Sequence, residues 1–321
     1  MAISNRTVTD TLTAAHYNEI RNKIVQILGT GAGNYGYGQA TTSSTVAGSS
    51  TQLVQAVHMA QLRTDIVKAY VHITSSAFNL TVPTAFTDII LATASGADYN
   101  ETHNAYIEAV NYCDTNRYLA NPAQMTLVGS NTATLSFSDW NGTRTFNLSA
   151  NFGTTSDDHR WFFNAGGEIR FYTEHTYNTS TYPVNSKPYD WQQFLANKVD
   201  GTGFGPTDYW TAVGNGAGGV GRRVYSSGSP GYDGTAYTAN YWQVRMTDVG
   251  SGNLNFNIDY VDADQGITNP LYWNSSFDET VNGTTSLYCG YYYPTGSTTD
   301  PLLGSISTVQ LPAPTFTAFT N

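Results

Sequence analysis

The chain has 321 residues, enough for one large domain or two ordinary ones with a sizeable core. Only 12% of it is charged, against 23 tyrosines and 30 glycines, so its surface must rely on Ser, Thr, Asn, Gln and Tyr; that suits a β-rich extracellular or particle-surface protein better than a cytosolic metabolic enzyme. A net charge of -10 opposes a phosphate backbone and argues against a nucleic-acid partner, Arg222-Arg223 being the only adjacent basic pair.

The opening MAISNRTVTDTLT has no basic start followed by an apolar run, so no secretory signal is expected and the chain is expected to be made in a cytosol. No stretch approaches the ~18 apolar residues of a membrane-crossing helix, so membrane insertion is not expected. In LTAAHYNEIRNKIVQILG, Ile20, Ile24, Ile27 and Leu28 recur on one helical face, with Thr13 as N-cap and Gly29 as stop. A second amphipathic helix is expected in TQLVQAVHMAQLRTDIVKAYVHI. The two match: Ala14, His16, Ile20, Arg21, Ile24 and Val25 correspond to Ala56, His58, Leu62, Arg63, Ile66 and Val67, all at one offset of 42 residues. Two copies are too few for a solenoid. Recurrence of His16 and His58 suits duplicated packing better than a pair of metal ligands.

Between the helices, residues 29–51 are rich in Gly, Ser and Thr and read as an extended or flexible linker. Gly31, Gly33 and Gly36 spell GxGxxG, but a helix precedes and a Ser/Thr tract follows, the reverse of a dinucleotide site. Gly216, Gly218 and Gly221 repeat the pattern in a glycine loop expected between strands.

After Thr74 the period changes to two. FNLTV, MTLVG, ATLSF, RTFNLSANF, YWQVRMTDV, LNFNIDYVD and SLYCGYYY read as strands, with breaks at Ser130-Asn131, Asn141-Gly142 and Gly250 to Asn253. Two helices interrupt: HNAYIEAVNYCDTN, with Tyr106, Val110 and Cys113 on one face beside Ile107, and DWQQFLANKVDG, with Asp190 as N-cap and Gly201 as stop. The fold expected is mainly β, an antiparallel sandwich-like body (75–321), preceded by a helical assembly region (1–74).

RWFFNAGGEIRF reads as strand, turn, strand. Ala165-Gly166-Gly167 would supply the turn, and Phe162, Phe163, Ile169 and Arg170 its arms. The competing reading gathers Asp157, Asp158, His159, Glu168, Glu174 and His175 into a metal or acid/base cluster, Trp161 supplying the apolar wall that raises a carboxyl pKa. No spacing among them is specific, so rim charges at strand ends are expected. Asp259, Asp262, Asp264 and Gly266 resemble a calcium loop, but the spacing is off by one and Trp273 stands where a bidentate Glu is needed. No metal, cofactor or catalytic residue is expected. Cys113 and Cys289 are expected to be separate thiols. Tyr35, Tyr37, Tyr177, Tyr182, Tyr189, Trp191, Tyr209, Trp210 and Tyr291 to Tyr293 are aromatic residues expected in loops, where they could stack on sugar rings or build a protein interface.

TAAHYNEIRNKIVQILGTG…YGYGQ and HRWFFNAGGEIRF resemble virion structural proteins of tailed bacteriophages, especially those infecting marine cyanobacteria. The matching residues are His16, Asn18, Ile20 and Arg21, then Phe162, Phe163, Asn164, Gly166, Gly167, Ile169 and Arg170. The resemblance implies a tail or fibre component in the virion, assembled in the host cytoplasm. Its partners would be copies of itself and other virion proteins, and it implies no reaction. His16, Ile20, Arg21, Ile24, His58, Leu62, Arg63 and Ile66 would then be assembly or packing positions, with the phenylalanine–glycine segment. The alternative is a glycan-binding or glycan-degrading surface protein that meets host-surface glycans.

Overall fold

The structure, a computed structural model, describes residues 2–7, 13–48, 54–76, 80, 103–153, 155, 157–182, 187–196, 202–211, 220–223, 240–250, 252–262, 280–300, 302–307, 309–311 and 313–321. Contacts divide the chain into a helical unit (Met1–Thr126, Arg160–Gly167, Tyr293–Pro312) and a β unit (Leu127–His159, Glu168–Tyr292, Ala313–Asn321). The division does not fall at Thr74, because a third helix and a late hairpin complete the packing of the first two helices.

In the helical unit, α1 (Ala14–Leu28) and α2 (Ala56–Thr74) stand where their apolar period places them. Ile20, Ile24, Ile27, Leu62 and Ile66 are fully buried, each contributing roughly 1.5–3 kcal/mol. α3 (His103–Thr115) packs on both and buries Tyr106, Ile107, Val110 and Cys113, as its pattern predicts. The apolar faces of α1 and α2 are therefore satisfied within the chain and are not left for a neighbouring subunit. The hairpin of β9 (Ser297–Asp300) and β10 (Gly304–Ser307) joins this unit through a buried fork-to-fork pair, with Arg63 donating to both Asp300 carboxylate oxygens at 3.1 and 2.9 Å.

Several extended segments of this unit have no sheet to join, and side-chain amides take the place of a partner strand. Asn18 accepts from the N–H of Val46 (2.9 Å) and donates to its carbonyl (2.7 Å). Gln39 pairs with the N–H and carbonyl of Gln310 in the same way. Asp65 accepts from the N–H and hydroxyl groups of both Thr42 and Ser43. Residues 29–48 are thus an ordered segment and not a flexible linker, since buried backbone groups must find partners. Residues 49–51, the end of the expected linker, lie outside the described residues.

The β unit is a two-sheet sandwich. One sheet has the order β1 (Met125–Trp140), β8 (Val281–Pro294), β3 (Glu168–Thr176), β4 (Thr202–Phe204). The other runs β11 (Thr315–Phe316), β2 (Thr143–Asn151), β7 (Asn253–Val261), β6 (Tyr241–Gly250), β5 (Val220–Arg223). Alternation sets the core: Phe146, Leu148 and Ala150 on β2, Ile169 and Phe171 on β3, Trp242, Val244 and Met246 on β6. The Phe171 and Phe256 rings meet 5.0 Å apart between the sheets, and Thr173 bonds the Tyr260 hydroxyl at 2.7 Å. β6 and β7 form the hairpin expected at Gly250 to Asn253.

Three local expectations change. β1 runs unbroken through Ser130-Asn131, because pairing with β8 overrides the turn preference of two residues. Asn141-Gly142 makes no hairpin; it carries the chain from one sheet to the other. The helix α5 (Lys187–Ala196) begins three residues before Asp190, which lies inside it. Most of FNLTV, Gly201, Gly216, Gly218, Asp264, Gly266 and Trp273 lie outside the described residues. Among the described residues no helix is long and apolar enough to cross a membrane.

Candidate functional site

The segment RWFFNAGG is not a strand. Asp158–Asn164 is a helix, α4. Gly166 N–H donates to Phe163 O (3.0 Å) and Gly167 N–H to Phe162 O (2.9 Å), with Gly166 left-handed at φ 81°. That pair of bonds is a Schellman cap, so the glycines end a helix rather than turn a hairpin. Gly167 is required for space and not for φ, since a Cβ there would lie 2.6 Å from the Phe162 ring. Phe162 and Phe163 are both fully buried, edge to face at 5.1 Å; strand alternation would have placed them on opposite sides. β3 then begins at Glu168, so only the second half of the expected hairpin is a strand.

This helix grips the glycine loop that follows α1. The loop closes on the helix end, Gly38 N–H donating to Gly29 O (2.9 Å) and Gln39 N–H to Leu28 O (2.8 Å). Gly36 sits at φ 97°, where a Cβ would come within 2.4 Å of Thr30 O. The loop's carbonyls accept from α4. Arg160 donates to Gly33 O (2.9 Å), Tyr35 O and Thr30 O (2.8 Å). Trp161 Nε1 donates to Thr30 O (2.9 Å), and Asn164 Nδ2 to Tyr35 O (3.1 Å) and Gly36 O (3.2 Å). A phosphate loop points N–H groups inward; this GxGxxG points carbonyls inward, around a cation.

His16 and His58 hold equivalent places for a shared reason. Each is the third residue of its helix, and its imidazole Nδ1 accepts from the backbone N–H of the capping residue: Thr13 at 3.3 Å for His16, Gln55 at 2.9 Å for His58. Histidine stands where a capping box usually has Glu or Gln. Arg21 bonds Ser43 O through two nitrogens at 3.3 Å.

The charged groups considered as a cluster are separately engaged. His159 is buried, its Nδ1 2.8 Å from the Tyr209 hydroxyl and its Nε2 3.9 Å from Asp248. Glu168 faces Arg170 along β3, with two contacts of 3.1 Å. Glu174 accepts from Tyr288 at 2.6 Å. His175 Nδ1 meets Thr285 Oγ1 at 2.9 Å, and burial lowers its pKa to about 4. Asp158 accepts from Thr155 N–H. Asp259 accepts from Thr145, Gln243 and Arg245, and Asp262 pairs with Lys187 at 2.6 Å. Among the described residues no three metal-ligating side chains gather. Cys113 and Cys289 are free and buried, and burial raises both thiol pKa values.

The expected aromatic loops divide. Tyr37, Trp191, Tyr209 and Tyr291 are core residues, not a platform. Trp191 packs on Trp140 at 4.7 Å. Tyr35, Tyr177, Tyr182, Tyr189, Trp210, Tyr292 and Tyr293 stay half-buried. Sequence reasoning missed Asp65, Asn104, Asn111 and Asp300, and named Asn18 only through the resemblance. Single polar residues in a chain rich in Asn, Ser and Thr carry no signal until their partners are in place. Comparison with family models, curated proteins and solved structures found no match to this chain.

Proposed function

We propose that this chain is a self-assembling structural component of a bacteriophage virion, tail or fibre associated, and not an enzyme. One observation carries the reading: the two segments that resemble virion proteins meet in the helical unit, where Arg160, Trp161 and Asn164 of the second bond the carbonyls of the glycine loop ending the first. Their polar groups hold backbone in place, a use that supports architecture over chemistry. Partners would be copies of itself and other virion proteins, assembled in the host cytoplasm. Electron micrographs and sedimentation of concentrated protein test this. Ordered oligomers, rings or fibres are expected; a monomer that releases reducing sugar from host polysaccharide overturns it.

A second reading, attachment to host-surface glycans, is favoured by the outer face of β3 and β8. Tyr172 stands opposite Tyr288, and Glu168 opposite Tyr292, whose ring lies 4.3 Å under the Arg170 guanidinium. Three tyrosines flanked by carboxylates form a set able to stack on sugar rings and bond their hydroxyls. Affinity electrophoresis in host polysaccharide, with Tyr172→Ala and Tyr288→Ala as controls, tests it; equal mobility of all three proteins would sink it.

A further inference from the structure

Residues 2–7 lie along α3 without joining any sheet. Asn111 accepts from the N–H of Ile3 (2.9 Å) and donates to its carbonyl (2.8 Å). Asn104 does the same for Arg6, at 2.7 and 2.8 Å. The helix therefore reads the backbone of this segment twice. Glu108, between the two asparagines, accepts from Asn5 at 3.2 Å, and Arg6 pairs with Glu19 of α1.

The spacing fits an extended chain with threefold twist. Asn104 and Asn111 share one stripe of α3 and lie about 10 Å apart along the axis, at 1.5 Å per residue. Ile3 to Arg6 is three residues, about 9 Å at ~3.1 Å each, which is one turn of polyproline II geometry. A flat strand would turn the N–H and C=O of the second residue to the opposite side.

The contact is also separable from the fold. Of the segment's side chains only Ile3 is buried apolar; Ala2, Ser4, Asn5 and Thr7 are exposed. The opposite face of α3, with Tyr106, Val110 and Cys113, is packed against α1 and α2 without it. The receiving surface is acidic through Glu108 of the stripe and Glu19 of α1, while the segment carries Arg6. Nothing in these contacts requires that segment and helix belong to one copy.

We propose that residues 2–7 are an exchangeable linking segment, seated on the Asn104–Asn111 stripe of a second copy of this chain in the assembled protein. Exchange keeps the asparagine bonds and the Arg6–Glu19 pairing, and high local concentration offsets the association entropy. Reciprocal exchange closes a dimer; one-way exchange propagates a chain. This proposal rests on the self-assembly reading.

Two complementary full-length variants test it: one lacking residues 2–7, the other Asn104→Ala with Asn111→Ala. By sedimentation, wild type is expected to be oligomeric and each variant alone to be of lower order. An equimolar mixture should form two-chain complexes, since one variant offers an empty stripe and the other a free segment. Excess peptide AISNRT should dissociate wild-type oligomers, and a scrambled peptide should not, which keeps the test valid if the double variant misfolds. Oligomers indifferent to deletion and to peptide overturn this proposal alone. A wild-type chain monomeric at every concentration overturns the self-assembly reading as well.

Discussion

The Arg160 guanidinium and the carbonyl oxygen of Gly33 stand 2.9 Å apart across 127 residues of sequence. With Tyr35 O and Thr30 O, that oxygen makes a ring of acceptors fitted to a planar, five-donor group. Arg160→Ala removes the donor to Gly33 O and leaves Thr30 O and Tyr35 O with only Trp161 and Asn164, and is expected to cost about 1–3 kcal/mol. Arg160→Lys should restore little, since one ammonium cannot span three carbonyls. Denaturant unfolding checks both; a loss under about 0.5 kcal/mol for Arg160→Ala would refute the role.

Gly166→Val places a β-branched residue at φ 81° with its Cβ 2.9 Å from that of Ala120. Strain of roughly 1–3 kcal/mol is expected. Phe163→Ala should cost about 3–5 kcal/mol, as its ring is fully buried. Glu168→Gln should change stability by less than about 1 kcal/mol, because its pairing with Arg170 is half-exposed. Soluble yield and melting temperature rank the three, and a Glu168 variant worse than the other two would contradict the assignment.

His16→Ala and His58→Ala each remove an acceptor from a helix start. About 0.5–2 kcal/mol is expected for each, and the Gln replacements should recover most of it through the same reach-back bond. Thermal unfolding of the four variants decides; no difference between Ala and Gln would show that the imidazole caps nothing.

Acid should destabilise the fold well above the carboxylate range. Burial lowers His72, His103 and His175 from 6.5 to about 4, with the charges of His16 and Arg6 adding to the effect at His103. A histidine whose folded pKa is lowered binds protons first in the unfolded state. Stability is thus complete above about pH 6.5, falls as pH drops toward 4, and is lost in full below that, by up to about 3 kcal/mol per residue. Asp300, held below the usual aspartate range against its own burial by Arg63 and two backbone N–H donors, acts only at lower pH. Melting temperatures should hold from pH 7.5 to about 6.5 and fall from there to 4.5, and His72→Gln should flatten the curve; a flat wild-type profile would exclude the mechanism.

Removing residues 1–74 should give insoluble protein rather than a stable body, because α3 would lose both helices that cover Tyr106, Val110 and Cys113. Soluble expression of the truncated chain, with a cooperative melt, would contradict the packing described.

What the sequence determined by itself is the set of elements whose burial repeats at a fixed period. α1, α2 and α3 follow from residues three and four apart, and β2, β6, β7 and β8 from alternation, since one face of each must leave water. Local chemistry also placed Thr13 and Gly29 at the ends of α1, and the positive φ at Gly166. It did not place the element before those glycines. Trp161, Phe162 and Phe163 have strand propensity, and three aromatic residues in a row carry no period that separates helix from strand. Only the tertiary structure made Arg160–Asn164 helical, by offering the glycine-loop carbonyls as acceptors for Arg160, Trp161 and Asn164 together. Tertiary structure likewise decided the roles of Asn104, Asn111, Asp65 and Asp300. A side-chain hydrogen bond needs a partner brought within 3 Å from tens or hundreds of residues away, and that distance is set by the fold as a whole, not by any local stretch of chain.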